Sequence, residues 1–211
     1  MTFEARLWMI ATAFAIAFAV LATLVVSTHV LDPLDALASM IRGRLTRLAA
    51  LFTLSGRAVP LLVLVVLSAA VFALLGGPLW IPAAILASQG LSQGVVEIVF
   101  KHYVSRVRPP DWLVTQERGF SFPSGHACTA FVFFGSWLLV VMVAPTGTGL
   151  RVVLVAAIGA WMFGIVWSRI ALGAHFITDV LGGALFGSAW TFALLALLVR
   201  ARIPMPWLPS G

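Results

Sequence analysis

Charge is what this chain has least of. Only 9% of its 211 residues are Asp, Glu, Lys or Arg, where a soluble domain carries roughly a quarter. That shortage excludes water as the main solvent. Cysteine is almost missing as well. The single Cys128 rules out an internal disulfide and any multi-cysteine metal centre, and its plain reading is a small residue buried in a helix. Of the 13 basic residues only Lys101 is a lysine. The net charge of +6 does not indicate nucleic acid, because the basic residues are scattered over short connections and not gathered on one polar face. A membrane surface or an anionic lipid headgroup is the expected partner.

What the chain has in abundance is apolar: 62% of its residues are hydrophobic. A bilayer core is about 30 Å thick, so a helix rising about 1.5 Å per residue crosses it in about 20 apolar residues. Six such runs stand at 8–28, 58–75, 79–100, 124–144, 151–172 and 175–199. The first is longer than the core of a signal peptide and lacks a convincing cleavage site, so it is read as a span. The second ends at Gly76-Gly77-Pro78, the fourth before Pro145, and the sixth runs into Arg200, Arg202 and a proline-rich tail. The expected fold is all-α: a single integral-membrane domain over 1–211, built as a bundle of six transmembrane helices.

Between the first two runs lies "LDPLDALASMIRGRLTRLAALFTLSGR". Leu37, Ile41, Leu45 and Leu48 recur at helical spacing, with Arg42, Arg44 and Arg47 interleaved. That predicts an amphipathic helix lying in the membrane interface, started by Asp32 or Asp35 as its cap. It is either a solvated connector or a lid over a lipid site.

Six spans put both termini on one side. The first, third and fifth connections share the other side, so residues 101–126 and 168–179 converge there. Their content is specific. "KHYVSRVRPP" carries Lys101 and Arg108-Pro109; "PSGH" is Pro123, Ser124, Gly125 and His126; "SRIALGAHFITD" carries Ser168, Arg169, His175 and Asp179. Lys101, Arg108 and Arg169 would repel one another at one mouth unless an anion sat between them. A phosphate suits: arginine grips it with two parallel hydrogen bonds and lysine acts as a point charge. The fourth span begins at Pro123-Ser124-Gly125, where free backbone N–H groups and the positive end of the helix dipole favour an anion. Gly125 lets the backbone come close.

The histidines supply reactivity. His175 and Asp179 are four apart and share a helix face. The carboxylate can keep one ring nitrogen protonated and leave the other as a nucleophile. His126 arrives from a different helix start and can protonate a departing group. Together these groups describe phosphoryl transfer through a phosphohistidine, with cations neutralising the charge. Singly, each has a blander reading: an arginine at a helix end usually snorkels, and a histidine near a membrane is usually a structural hydrogen-bonder. Their gathering on one face favours the functional reading.

Lys-x6-Arg-Pro, Pro-Ser-Gly-His and Ser-Arg-x5-His-x3-Asp together resemble the type-2 phosphatidic acid phosphatase superfamily. Its members include lipid phosphate phosphatases, bacterial phosphatidylglycerophosphate and undecaprenyl-diphosphate phosphatases, glucose-6-phosphatase and vanadium haloperoxidases. All three motifs match without a gap between 101 and 179. The resemblance implies that Lys101, Arg108 and Arg169 bind phosphate with help from Ser124 and Gly125. It makes His126 the acid, His175 the nucleophile and Asp179 its orienting partner. It also implies no metal and no cofactor, in line with the lack of metal-ligand spacing.

Glu97, one turn before Lys101, is expected to pair with it or with another cation of the site. His29 and His102 read as structural or solvated, and Tyr103 and Trp112 as interfacial anchors. Gly182, Gly183 and Gly187 are expected to permit close helix packing. The expected substrate is a lipid phosphate or diphosphate. Undecaprenyl diphosphate, phosphatidylglycerophosphate and phosphatidic acid stay open, because the motifs read phosphate and not the tail. The oligomeric state is not set by the sequence. A lipid phosphotransferase of the same fold and a phosphate-binding membrane transporter are the alternatives; an oriented His/Asp pair facing a second histidine favours an enzyme. The resemblance implies a bacterial inner membrane with the site on its outer, periplasmic or extracellular, face. Arg42, Arg44 and Arg47 point the other way by the positive-inside rule.

Overall fold

The computed structural model describes residues 1–27, 32–110, 113 and 119–203. His29, Trp112 and the proline-rich tail lie outside them. The chain runs through α1 (Phe3–Ser27), α2 (Asp32–Ala36), α3 (Ala38–Ile41), α4 (Thr46–Ser55), α5 (Ala58–Leu74), α6 (Trp80–Val104), α7 (Gly125–Val143), α8 (Thr148–Ala171) and α9 (Ile177–Arg200). Regular structure among the described residues is helical throughout.

Helices α1, α6, α7, α8 and α9 are each long and apolar enough to cross a bilayer. The sixth expected span is α5, with 17 residues; α4 precedes it and meets it at 60°. The six runs read from hydropathy therefore fall on α1 and α5–α9, and the protein is an integral membrane protein. The ends moved by a few residues for local reasons. Helix α6 continues past residue 100 because a π-helical turn at Val96–Phe100 carries it on, with the Lys101 N–H bonded to the Val96 carbonyl. Ser105, at φ 50°, stops it.

The single amphipathic helix expected between the first two spans is not there. The segment is three short helices, α2, α3 and α4, with left-handed breaks at Gly43 (φ 80°) and Leu45 (φ 50°). Glycine takes that conformation without strain. The break is used: the Gly43 N–H bonds the Ala171 carbonyl at the end of α8, at 2.9 Å. The expected apolar stripe is split: Ile41 packs against Ala38, Ala171 and Leu172, while its leucines point away from the bundle, as in a helix lying in the interface. Leu37, Leu45 and Leu48 are exposed, while Asp35, Ala38, Ala49 and Thr53 are buried. Lipid is as apolar as a protein core, so a leucine gains little by turning inward, and small or hydrogen-bonding residues take the protein side.

Helix α7 is central. One cluster packs its Ala130, Phe133 and Phe134 against Leu61, Val65, Ile81, Ile85 and Ile165. A second packs its Cys128 and Val132 against Phe18, Val96, Phe122 and Phe186. Cys128 is fully buried, as its plain reading anticipated. The α9 glycines allow the closest approach. A Cβ on Gly183 would stand 2.3 Å from the Ser124 carbonyl oxygen, and one on Gly187 would stand 2.8 Å from Phe131 Cβ. A Cβ on Gly182 would stand 2.6 Å from the Phe122 ring. These contacts bring Phe122 and the first two turns of α7 against the second and third turns of α9.

Candidate active site

Helix α8 ends in a turn that places His175. Gly173 is left-handed (φ 71°). Its N–H bonds the Ile170 carbonyl at 3.0 Å, and the Ala174 N–H bonds the Arg169 carbonyl at 3.0 Å. This is a Schellman closure, which needs glycine at that position. The His175 N–H shares the Arg169 carbonyl at 3.3 Å. Arg169 thus holds the histidine loop through its backbone, while its side chain is 1% exposed and its Nη1 donates to Thr53 Oγ1 of α4.

The start of α7 docks on this corner. Ser124 caps the helix, its Oγ accepting from the Ala127 N–H at 3.4 Å, and its own N–H donates to the Asp179 carbonyl at 2.9 Å. From α6, Gln93 Nε2 donates to the Gly125 carbonyl at 2.8 Å. The turn between α4 and α5 closes over the other side: a Cβ on Gly56 would stand 2.9 Å from His126 Cδ2.

His175 sits between a base partner and a cation. Arg108 Nη1 is 3.1 Å from its Nε2. A guanidinium only donates, so Nε2 carries the lone pair and the ring proton is on Nδ1. Nδ1 faces Asp179 Oδ2 at 3.5 Å. The nitrogen with the free electron pair therefore points at an arginine suited to phosphate, as a nucleophile requires. Arg108 is held in place by the Gly119 carbonyl (Nε, 3.0 Å) and the Ala174 carbonyl (Nη1, 3.3 Å).

Asp179 is held in turn. Its Oδ2 accepts the Phe176 N–H at 2.9 Å and its Oδ1 accepts Arg106 Nη1 at 2.8 Å. Arg106 also bonds Thr178 Oγ1 and, through Nη2, Asp35 Oδ2, both at 2.6 Å, and lies 4.2 Å over the Phe176 ring. Asp35 Oδ1 accepts the Thr178 N–H at 2.9 Å. Burial pulls the Arg106 guanidinium down, but Asp179 and Asp35 more than offset it and raise it above its ordinary value. It stays cationic at any working pH.

Lys101 is 6% exposed, and its Nζ meets Glu97 Oε1 at 2.6 Å; the pairing expected one turn apart is present. Lys101, Glu97, Gly125, His126 and His175 line one cavity of about 440 Å³. Its remaining lining includes apolar residues, Ala58, Leu61 and Leu62 of α5 and Leu86 of α6. The exposed Leu62 and Gly90 among its lining residues bring it to the lateral surface of the bundle. The structure brings the predicted site residues to one corner, though only Lys101, Gly125, His126 and His175 of them line the cavity together with Glu97. His126, His175 and Lys101 face one space, Arg108 touches His175, Ser124 meets Asp179, and Arg169 anchors the loop that carries His175. His102 is structural as expected, its Nδ1 3.0 Å from the Glu97 carbonyl oxygen, and Tyr103 is exposed at the end of α6.

Sequence reasoning missed Arg106, Asp35, Thr53 and Gln93. A signal existed for two of them. Arg106 lies inside the Lys-x6-Arg-Pro string, and Asp35 is a carboxylate in a segment of opposite charge, which in a membrane protein demands a partner.

The chain belongs to the PAP2 superfamily: the model of that family matches residues 78–203, more than half of the sequence. Its similarities within that class point to phosphatases. It is 38% identical over 92 residues to phosphatidylglycerophosphatase B of Bacillus subtilis (strain 168), covering 42% of this chain and 44% of that protein. It is 32% identical over 96 residues to phosphatidylglycerophosphatase B of Escherichia coli (strain K12), covering 46% and 35% respectively. It is 38% identical over 82 residues to a lipid A 1-phosphatase of Rhizobium johnstonii, covering 39% and 29%. The matched stretches span less than half the length of these relatives. The crystal structure of a transmembrane PAP2-type phosphatidylglycerolphosphate phosphatase from Bacillus subtilis superposes with a TM-score of 0.78 at 27% identity, covering 93% of this chain and 98% of that one.

Proposed function

We propose that this protein is a membrane phosphatase of lipid phosphates, with phosphatidylglycerophosphate as its leading candidate substrate. The observation that carries this reading is one cavity lined by two unlike sets of side chains: His126, His175 and Lys101, and Leu61, Leu62 and Leu86. A phosphate fits the first set and an acyl chain the second. The names of the relatives support the choice of substrate.

In the proposed reaction the phosphate displaces Arg108 from His175 and takes up its N–H donors, together with Lys101 and the first turn of α7. His175 Nε2 attacks phosphorus, and a P–N bond forms as the P–O bond to the lipid alcohol breaks. His126 gives its proton to the departing alkoxide. Water then attacks the phosphohistidine, His126 takes one water proton, and inorganic phosphate leaves with His175 restored. The Nδ1 proton stays on the ring throughout, and Asp179 stabilises the positive charge that the ring develops. These residues supply each proton and each charge contact, so the reading is metal-independent.

The catalytic unit in this reading extends over the whole of 1–211 and not only over 78–203. Asp35, Thr53 and Gly56 precede the family match, and each touches a motif residue or a residue that holds one. The relatives' organisms support a bacterial inner membrane, with the site on its outer face as the family resemblance implies. One of the objecting arginines, Arg42, lines a cavity with Asp35 and Arg106, and so reports on the site more than on orientation.

The test is phosphate release by the purified protein in detergent with EDTA present, over phosphatidylglycerophosphate, phosphatidic acid and undecaprenyl diphosphate, beside His175→Ala. Release that survives EDTA and is lost in the variant is expected. Release that stops with EDTA would remove the metal-free mechanism. No release from any lipid would favour phosphate transfer or transport instead.

A further inference from the structure

Gln89, Gln93, Glu97 and Lys101 stand four apart along α6, each step about 6 Å up the helix axis, and all four line the cavity that holds His126 and His175. Glu97 and Lys101 belong to its phosphate end. The two glutamines run down into the span, where a primary amide is costly unless its hydrogen bonds are met. Gln93 has a structural use: its Nε2 donates to the Gly125 carbonyl at 2.8 Å and to Thr129 Oγ1 at 2.9 Å. Gln89 is only half used. Its Nε2 donates to Thr129 Oγ1 at 2.7 Å. Its Oε1 is buried with no hydrogen-bond partner among the described residues, in a residue 4% exposed. Anchoring α6 to α7 through Thr129 does not call for Gln89, because Gln93 already bonds the same hydroxyl. A leucine there would avoid the desolvation cost.

We propose that Gln89, braced by Thr129 and Gln93, is a subsite that hydrogen-bonds a hydroxyl of the leaving alcohol. It selects phosphomonoesters whose leaving alcohol carries a free hydroxyl near the phosphate, as in phosphatidylglycerophosphate, over those of plain hydrocarbon alcohols. A hydroxyl both donates and accepts, so it satisfies whichever end of the amide is presented. The position suits a group close to the reacting phosphate. Gln93 holds Gly125, the neighbour of His126, and Gln89 lies one turn, about 6 Å, below Gln93. The free glycerol hydroxyl of phosphatidylglycerophosphate stands two carbons from its phosphoester oxygen, and the length of the Gln89 side chain covers the rest of that turn. An isoprenoid chain brings only hydrocarbon there and leaves the amide unmet. Leu61, Leu62 and Leu86, which line the same cavity, take the rest of either lipid.

The inference rests on the phosphatase reading and adds the class of leaving group. The experiment measures kcat/KM of the full chain and of Gln89→Met and Gln89→Leu in the same detergent micelles. The two probes are phosphatidylglycerophosphate, whose leaving group carries a free hydroxyl, and farnesyl monophosphate, whose leaving group carries none. Methionine keeps the shape of glutamine and guards against a misfolded leucine variant. The expected result is a loss of about tenfold on phosphatidylglycerophosphate with farnesyl monophosphate turnover essentially unchanged, so that the selectivity ratio collapses. Equal losses on both lipids, or no loss on either, would overturn the subsite and leave the phosphatase reading standing. No turnover of either lipid by the unmodified chain would overturn both.

Discussion

Replacing Arg106 tests whether the network behind Asp179 serves catalysis. Its guanidinium reaches Asp35 Oδ2 at 2.6 Å and Asp179 Oδ1 at 2.8 Å, and the two carboxylates are 6% and 0% exposed. Arg106→Gln removes the cation and leaves both carboxylates buried. Breaking a buried pair from one side costs roughly 3–5 kcal/mol, so the variant should be less stable by about that amount. The kinetic loss should fall on kcat. Asp179 would keep its Phe176 N–H bond but lose the contact that fixes its second oxygen, and His175 would lose its fixed tautomer and direction. A positioning group of this kind is worth roughly 10–100-fold. KM should change little, because Arg106 does not line the cavity that holds His126 and His175. Arg106→Lys restores a charge but not the fork that reaches two carboxylates and Thr178 at once, and should recover only part of the rate.

The pH behaviour adds a control. Arg106 is raised above its ordinary value by Asp179 and Asp35. A cation raised on folding stabilises the protein at every pH below its unfolded value, and the effect is lost only as pH rises through the folded one. That window lies beyond the assay range, so Arg106 itself should add no inflection to the wild-type profile between pH 5 and 9, about three units or more below the ordinary arginine value. The assay is phosphate release in detergent across that range, with thermal unfolding beside it. A fully folded Arg106→Gln protein with wild-type kcat would refute the reasoning.

Other substitutions test the remaining contacts. Asp179→Asn should lower kcat by roughly 10²–10⁴-fold through loss of the His175 tautomer, and an unchanged turnover number would count against the pairing. Asp35→Asn leaves Arg106 balanced by Asp179 and should cost only about 1–3 kcal/mol of stability, seen as a lower melting temperature with a few-fold slower turnover. Gly56 has φ −84°, so alanine there meets no backbone strain. Its methyl would press on His126, and kcat should fall by about tenfold while stability stays near wild type. Gly183→Val should force the first turn of α7 off α9 at a cost of roughly 1–3 kcal/mol or more and abolish activity, checked by melting temperature and phosphate release on one preparation.

Much of this architecture was legible in the linear chain. Apolar runs of span length are set by bilayer thickness, and α1 and α5–α9 fall where those runs are. The segment between the first two spans was misread because its leucine spacing runs on through Gly43 and Leu45, where the chain takes left-handed turns that break the helix. Arg106 was passed over because the motif string treats its position as variable, and Asp35 because a local cap explained it well enough.

The sequence by itself determined the solvent, the count of spans, the side on which the loops meet and the types of side chain that meet there. Each follows from local composition, from segment length, or from the parity of six crossings. Only the tertiary structure decided which group holds which. Arg106 and Asp35 are 71 residues apart, Thr178 and Asp35 are 143 apart, and Arg169 and Thr53 are 116 apart. No periodicity relates such positions. They meet because buried charges and polar groups in a membrane protein must find their partners wherever the packing of distant segments brings them.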